Sequence, residues 1–342
     1  MNPFIFFRYM ILPAALFAGW TAGTYWNFSI VVLCFVIHPM ICLFQKNNRD
    51  IEDDFKQYDH KLFYRITPLL FVPVLLFSTL FFLWHSDSLK SIEFAGIAIS
   101  LGIINGVLGF TLAHEFVHKH TMPEKVAAWL LLLQNNYLHY GSEHVKGHHV
   151  YACTDADPHT AKVNESFYMF LPRSIYATFI NAWKIEQARL RKKNIHFLHW
   201  QNKMLQHLFI RTLFYSLLVS TVSVSAALLF ILQSCVAIVI LHLADYLQHY
   251  GLLRKKKDDH KYERITEKHA WGNTHAKAGF NLFQLDKHAD HHLHPSHSYE
   301  TLVHHEESPE LPAAYSTMML MALIPKLWFN EMNKRIPAEL LN

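Results

Sequence analysis

Charge is scarce in this chain: Asp, Glu, Lys and Arg make up 17% of its 342 residues, against 51% that are apolar. That balance lies between soluble globular proteins and purely membrane-buried ones, so a membrane anchor joined to a polar catalytic region is expected. Cysteine is scarcer still. Cys34, Cys42, Cys153 and Cys235 form no C-x-x-C pair, which argues against a disulfide framework and against an iron–sulfur or rubredoxin module within the chain. Glycine occurs 11 times and never as G-x-G-x-x-G, so no flavin or nicotinamide fingerprint is present. The net charge of +4 is scattered among apolar segments, and nucleic acid is not an expected partner. There is no internal repeat, and no cleavable signal peptide is expected, because the first apolar run leads straight into a second.

Long apolar runs, by contrast, are abundant. They lie near 10–26, 28–44, 66–84, 94–113, 208–228 and 229–247, each close to the length that crosses a bilayer core of about 30 Å. The expected fold class is all-α, an integral membrane protein of about six transmembrane helices in a single domain, with catalytic parts at 114–207 and 248–342. Two further helices, from Pro123 to Tyr140 and from Ser166 to Arg191, are expected to lie on the membrane surface. The segment from Gln45 to Arg65 carries Lys46, Arg49, Lys56, Lys61 and Arg65, whereas the opposite loops offer essentially Lys90. The positive-inside rule then puts both termini in the cytoplasm.

Histidine is in excess, with 26 residues, and nine of them fall into four clusters. These are His114 with His118; His144, His148 and His149; His249; and His288, His291 and His292. On the six-span topology all four clusters meet at the cytoplasmic face. Residues four apart share a helix face, so His114 with His118 and His144 with His148 can each grip one ion, and His288, His291 and His292 repeat the spacing. His149 projects about 100° from His148 on a helix of roughly 3.6 residues per turn and can reach a second ion. Nine imidazoles exceed the needs of one tetrahedral zinc, and two adjacent metal ions fit them better. Glu143, Asp157 and Asp290 are the candidate carboxylates that orient the rings through their second nitrogen.

Three plainer readings account for less of the pattern. His114-Glu115-x-x-His118 alone matches a zinc protease motif, but the three further clusters exceed what that chemistry needs. A metal transporter places its ligands along a path within the spans rather than at one face. Isolated histidines such as His38, His85, His196, His199, His207, His269, His304 and His305 read as structural or surface residues. His120, His159, His294 and His297 stand beside the clusters but outside the ligand set.

The spacing resembles the membrane di-iron desaturase and hydroxylase superfamily, and most closely its alkane 1-monooxygenase branch. The resemblance rests on H-E-x-x-H-K at His114 to Lys119, E-H-x-x-G-H-H at Glu143 to His149 with Thr154 to Pro158 after it, H-Y-G-L-L-R at His249 to Arg254, and H-x-x-H-H-x-H-P at His288 to Pro295. It runs from about Ala113 to the C-terminus. It implies two non-haem iron ions held by the nine histidines, O2 as co-substrate, and hydroxylation of the terminal methyl of an n-alkane or alkyl chain taken from the membrane lipid. Two electrons then come from a separate rubredoxin or ferredoxin with its reductase, and the location is a bacterial inner membrane. A fatty acyl desaturase or hydroxylase is the nearest rival. Two departures bear on the surroundings of the metals: the family pattern N-Y-x-E-H-Y-G reads Asp245-Tyr-Leu-Gln248-His249 here, and Ala289 replaces a serine.

Overall fold

The computed structural model describes residues 3–44, 61–258, 261–273 and 282–340. The positive residues Lys46, Arg49 and Lys56, like His60, His260 and His275, lie outside the described residues. A 3-10 turn, Pro3–Met10, leads into α1, Ile11–Ala22. Gly23, at φ +78°, then breaks the chain, its N–H donating to the carbonyls of Gly19 and Trp20. The next helix, α2, runs over Thr24–Phe44. The first division therefore falls at Gly23, earlier than expected, because only glycine adopts this backbone without strain.

Helices α3, Lys61–Trp84, and α4, Ser91–Val117, follow. After α5, Met122–Gln134, comes α6 over 140–151, whose middle, His144–His148, is a π-turn. Then come α7, Phe167–Lys192; α8, Lys203–Thr221; and α9, Val224–His249. The two surface helices read from the sequence correspond to α5 and α7. Among the described residues, four helices are long and apolar enough to cross a membrane: α2, the Leu62–Trp84 part of α3, α4 and α9. The last division falls at Val222 and Ser223 rather than at 228, since the Ser223 hydroxyl accepts from Ala226 N at 3.1 Å and caps α9.

Helices α4 and α9 carry the architecture. A Cβ on Gly102 would lie 2.5 Å from Val236 Cβ, and one on Gly106 2.7 Å from Ile240 Cβ, so these glycines, four apart, let the two helices approach closely. Polar staples reinforce the contact. Asn105 donates to Thr79 at 3.2 Å and Gln233 at 2.9 Å and accepts from Gln134 at 2.6 Å, joining α3, α4, α5 and α9. Such hydrogen bonds are worth about 0.6–2 kcal/mol each in lipid.

Past His249 the chain turns at Gly251, φ +73°, where a Cβ would meet Ile336. A short hairpin follows, β1 Lys256–Asp258 and β2 Lys261–Tyr262. Helices α10, His288–Leu293; α11, Tyr315–Ala322; and α12, Pro325–Met332, complete the described chain. Trp271, Trp328, Tyr246, Tyr250 and Met318 form a second core that packs this region onto the end of α9, and Trp271 donates its indole N–H to Tyr250 O at 2.9 Å.

Candidate metal centre

Four elements bring the nine histidines together. His114 and His118 stand at the end of α4, His144 to His149 on α6, His249 at the last residue of α9, and the remaining three on α10. The imidazoles divide into two groups whose candidate ligand atoms lie within 4.8 Å of one another: His114, His118, His144, His149 and His291 in one, and His148, His249, His288 and His292 in the other.

This division differs from simple i, i+4 pairing. His144 groups with His149 rather than with His148, and their Nε2 atoms are 3.1 Å apart. The π-turn is the reason: its i→i+5 hydrogen bonds stack residues five apart as an α-helix stacks residues four apart. On α10, His288 and His292 share a group, whereas His291 crosses to the other, where its Nε2 is 3.1 Å from that of His149.

The donor set suits metal ions. His249 Nδ1 donates to the carbonyl of His269 at 3.2 Å, which leaves Nε2 with its lone pair. That Nε2 faces the Nε2 atoms of His288 at 3.1 Å and His292 at 3.2 Å, and these two are 3.0 Å apart. Two nitrogens each about 2.1 Å from one ion at right angles are about 3.0 Å apart, so this triangle has the dimensions of a coordination shell. His114 Nε2 is buried with no hydrogen-bond partner. Burial holds the imidazoles neutral, with His118 pushed down to about 4 and His144, His148, His288, His291 and His292 well below the usual histidine range. Neutral nitrogen is the form that ligates.

The three carboxylates singled out from the sequence behave differently. Asp157 accepts from His148 Nδ1, with both oxygens at 3.1 Å, and so aims Nε2 into the four-histidine group. Glu143 and Asp290 touch other partners. Asp290 receives His305 at 2.7 Å, His294 at 3.2 Å and the Val303 N–H at 3.1 Å, which braces the loop after α10. Glu143 is fully buried and meets His159 Nε2 at 3.0 Å, while His159 Nδ1 meets Asp245 at 2.7 Å.

His159 therefore clamps α6 to α9. Burial alone would lower its pKa, but the two carboxylates hold it well above the ordinary value, so the ring is an imidazolium with both N–H groups used. Asp245, where the family pattern has asparagine, owes its counter-charge to this ring. His242, although close to both, has its two nitrogens engaged by Ser174 and Tyr137, each at 2.9 Å, so this third cluster is a satisfied hydrogen-bond network. His159 stands outside the ligand set read from the sequence, which does not single out His242. The available signal was the α9 spacing of His242 and His249, seven apart and hence on one face.

An apolar cavity ends on the two groups. Val107, Phe110, Ile240, Leu241, Ala244 and Met319 line it, and it reaches His114, His144 and His288. Its free volume is about 40 Å³, enough for a few water molecules at roughly 10–15 Å³ each. Asp245 and Gln248 are among its few polar lining residues, and Gln248 is held by Tyr315 at 3.2 Å.

Comparison with known proteins agrees with this geometry. Residues 91–321 match the fatty acid desaturase family. Alkane 1-monooxygenase 2 of Pseudomonas aeruginosa is 31% identical over 338 residues, 96% of this chain and 90% of that protein. Alkane 1-monooxygenase 1 of the same organism is 34% identical over 326 residues, 92% and 84% of the two chains. The hydroxylase component of the xylene/toluene monooxygenase of Pseudomonas putida is 27% identical over 246 residues, 70% and 63% of the two chains.

Proposed function

The chain belongs to the fatty acid desaturase family and, within it, to the alkane 1-monooxygenases, and from that premise we propose that it hydroxylates the terminal methyl group of an n-alkane or alkyl chain. The observation that carries the reading is the ending of an apolar cavity on two histidine groups. A hydrocarbon has no polar handle, so such a cavity can bind it only by burying it.

Two iron ions are the proposed occupants. The five-histidine group would hold one and His148, His249, His288 and His292 the other. When bound, they supply the redox chemistry that activates O2 against an unreactive C–H bond. The chain's own residues do the rest. Phe110, Ile240, Leu241 and Ala244 bury the alkyl chain and exclude water from the methyl end. Asp157 and the His269 carbonyl hold the His148 and His249 rings in register. The His159 clamp keeps α6 and α9, which carry ligands of both groups, in fixed relation.

The finer arrangement follows the sequence reading. Six spans in a bacterial inner membrane would leave both termini and the metal centre in the cytoplasm, as one catalytic domain. There a rubredoxin or ferredoxin, reduced by its own reductase, would deliver two electrons per turnover.

The test is reconstitution with an electron donor and heavy-isotope O2, feeding octane, hexadecane, xylene and a fatty acid in parallel. One labelled oxygen in a primary alcohol is expected. An unlabelled alkene would move the chain to desaturation and sink the proposal.

A further inference from the structure

Asp290 stands on α10 between His288 and His291, yet its carboxylate is engaged beyond that helix, by His294, His305 and the Val303 N–H. The local sequence brings two imidazoles to this point. Helix α10 ends at Leu293, because Pro295 disfavours the helical backbone in the residue before it, and His294 takes φ −134° and ψ 65°. The segment His294-Pro-Ser-His297 then closes as a tight turn, in which the His297 N–H donates to the His294 carbonyl at 2.9 Å. Proline at the second position of such a turn sets its φ in advance. The first and fourth residues become neighbours, and their rings stack with centroids 4.6 Å apart and planes 7° from parallel.

This cluster opens outward. Asp290 is buried, whereas His294 and His297 are exposed, and one candidate ligand atom from each of the three lies within 4.8 Å of the others. His294 Nδ1 is 3.2 Å from Asp290 Oδ1, the separation of two ligand atoms each about 2.1 Å from one ion at an angle of about 100°. Neither ring nitrogen of His297 has a hydrogen-bond partner among the described residues. His305 Nε2, at 2.7 Å from Asp290 Oδ1, and the Val303 N–H, at 3.1 Å from Oδ2, hold the carboxylate in place, as the carboxylates of metal sites are held.

We infer that Asp290, His294 and His297 form a further metal site, separate from the nine-histidine centre, for a single divalent ion of the zinc, cobalt or nickel class. Two imidazoles and one carboxylate are a donor set that these ions accept, whereas magnesium and calcium favour oxygen alone. Three protein ligands leave the remaining positions to water. The turn holds two of the ligands side by side before any ion arrives, which lowers the ordering cost of binding. The site also has a place in the architecture. Lys119, just past α4, donates to the His297 carbonyl at 3.0 Å and to Ser298 Oγ at 3.3 Å. A bound ion therefore joins the end of α10 to a turn that α4 already holds, and both helices carry histidines of the five-histidine group. The inference does not depend on the monooxygenase reading. The competing role for the three residues is a hydrogen-bonded helix end that binds no ion.

The experiment titrates the iron-loaded enzyme, in detergent and without oxygen, with cobalt(II), whose visible absorption reports on its ligands. Released iron is measured in every sample. The unaltered protein should take up a single cobalt ion per chain without losing iron, zinc(II) should displace that ion and magnesium should not, and the thermal midpoint should rise with cobalt concentration. His297→Ala removes an exposed side chain and should leave iron content and the cobalt-free midpoint unchanged. It should weaken cobalt binding about tenfold or more, since loss of even an orienting partner costs about 10–100-fold in metal affinity. The H294A/H297A variant should show neither the absorption nor the rise in midpoint. His196→Ala, an exposed histidine ahead of α8, should bind cobalt as the unaltered protein does. Cobalt uptake that only matches the iron released overturns the site, and so does equal binding in the unaltered protein and both turn variants.

Discussion

Replacing Asp157 with alanine removes one anchor of the four-histidine group and leaves the five-histidine group untouched. In the folded protein its carboxylate accepts from His148 Nδ1 at 3.1 Å, from Thr160 Oγ1 at 2.6 Å and from the His159 N–H at 3.2 Å. Without it the His148 ring is free to rotate or change tautomer, and its Nε2 no longer points reliably at the group. Loss of such an orienting partner costs about 10–100-fold in metal affinity, which is about 1.4–2.7 kcal/mol. The stranded donors add about 1–3 kcal/mol each to the folding cost. Asp157→Asn, whose amide oxygen can still accept one of these bonds, should fall between alanine and the unaltered protein. The measurement is iron per chain after dialysis against a graded chelator, with turnover on the same samples. Alanine should release about one iron at a chelator concentration the unaltered protein withstands, and lose most activity. Iron retention and turnover both matching the unaltered protein would refute the argument that this carboxylate sets the ring.

Three other outcomes are expected. His249→Ala should insert in the membrane with reduced iron and almost no turnover, because span burial does not depend on metal, whereas His120→Ala, an exposed neighbour of the first cluster, should match the unaltered protein in both; equal iron in the two variants contradicts the ligand assignment. Ala244→Leu narrows the apolar cavity, so turnover of long alkanes should drop more than that of short ones at unchanged iron content, and product analysis across chain lengths decides it. His159→Ala leaves Glu143 and Asp245 buried without their cation, at a cost of about 3–5 kcal/mol; thermal unfolding in detergent should show a clear drop, and an unchanged midpoint would mean the clamp is not ionic.

Much of this centre could be read from the chain alone, and the reasons are local. Ligand spacing on a helix is a property of a few consecutive residues, so His114 with His118 and the α10 triplet could be recognised without any tertiary information. Lipid likewise acts on each apolar run separately, which makes α3, α4 and α9 legible from length and composition. Helix ends were less legible. Gly23 and Ser223 set them through a backbone conformation and a single side-chain cap, signals of one residue against apolar stretches of about 20.

By itself the sequence determined which imidazoles are available and that apolar helices of membrane-spanning length lead into them. Which imidazoles share a group was decided only by the tertiary structure. The π-turn at His144–His148 rotates His149 onto the side of His144, and the approach of α10 sends His291 to one group and His288 and His292 to the other. The pairing of His159 with Glu143 and Asp245 joins residues 16 and 86 positions apart. No local pattern specifies such a pair, because it forms only when the packing of α6 against α9 removes water from around these groups.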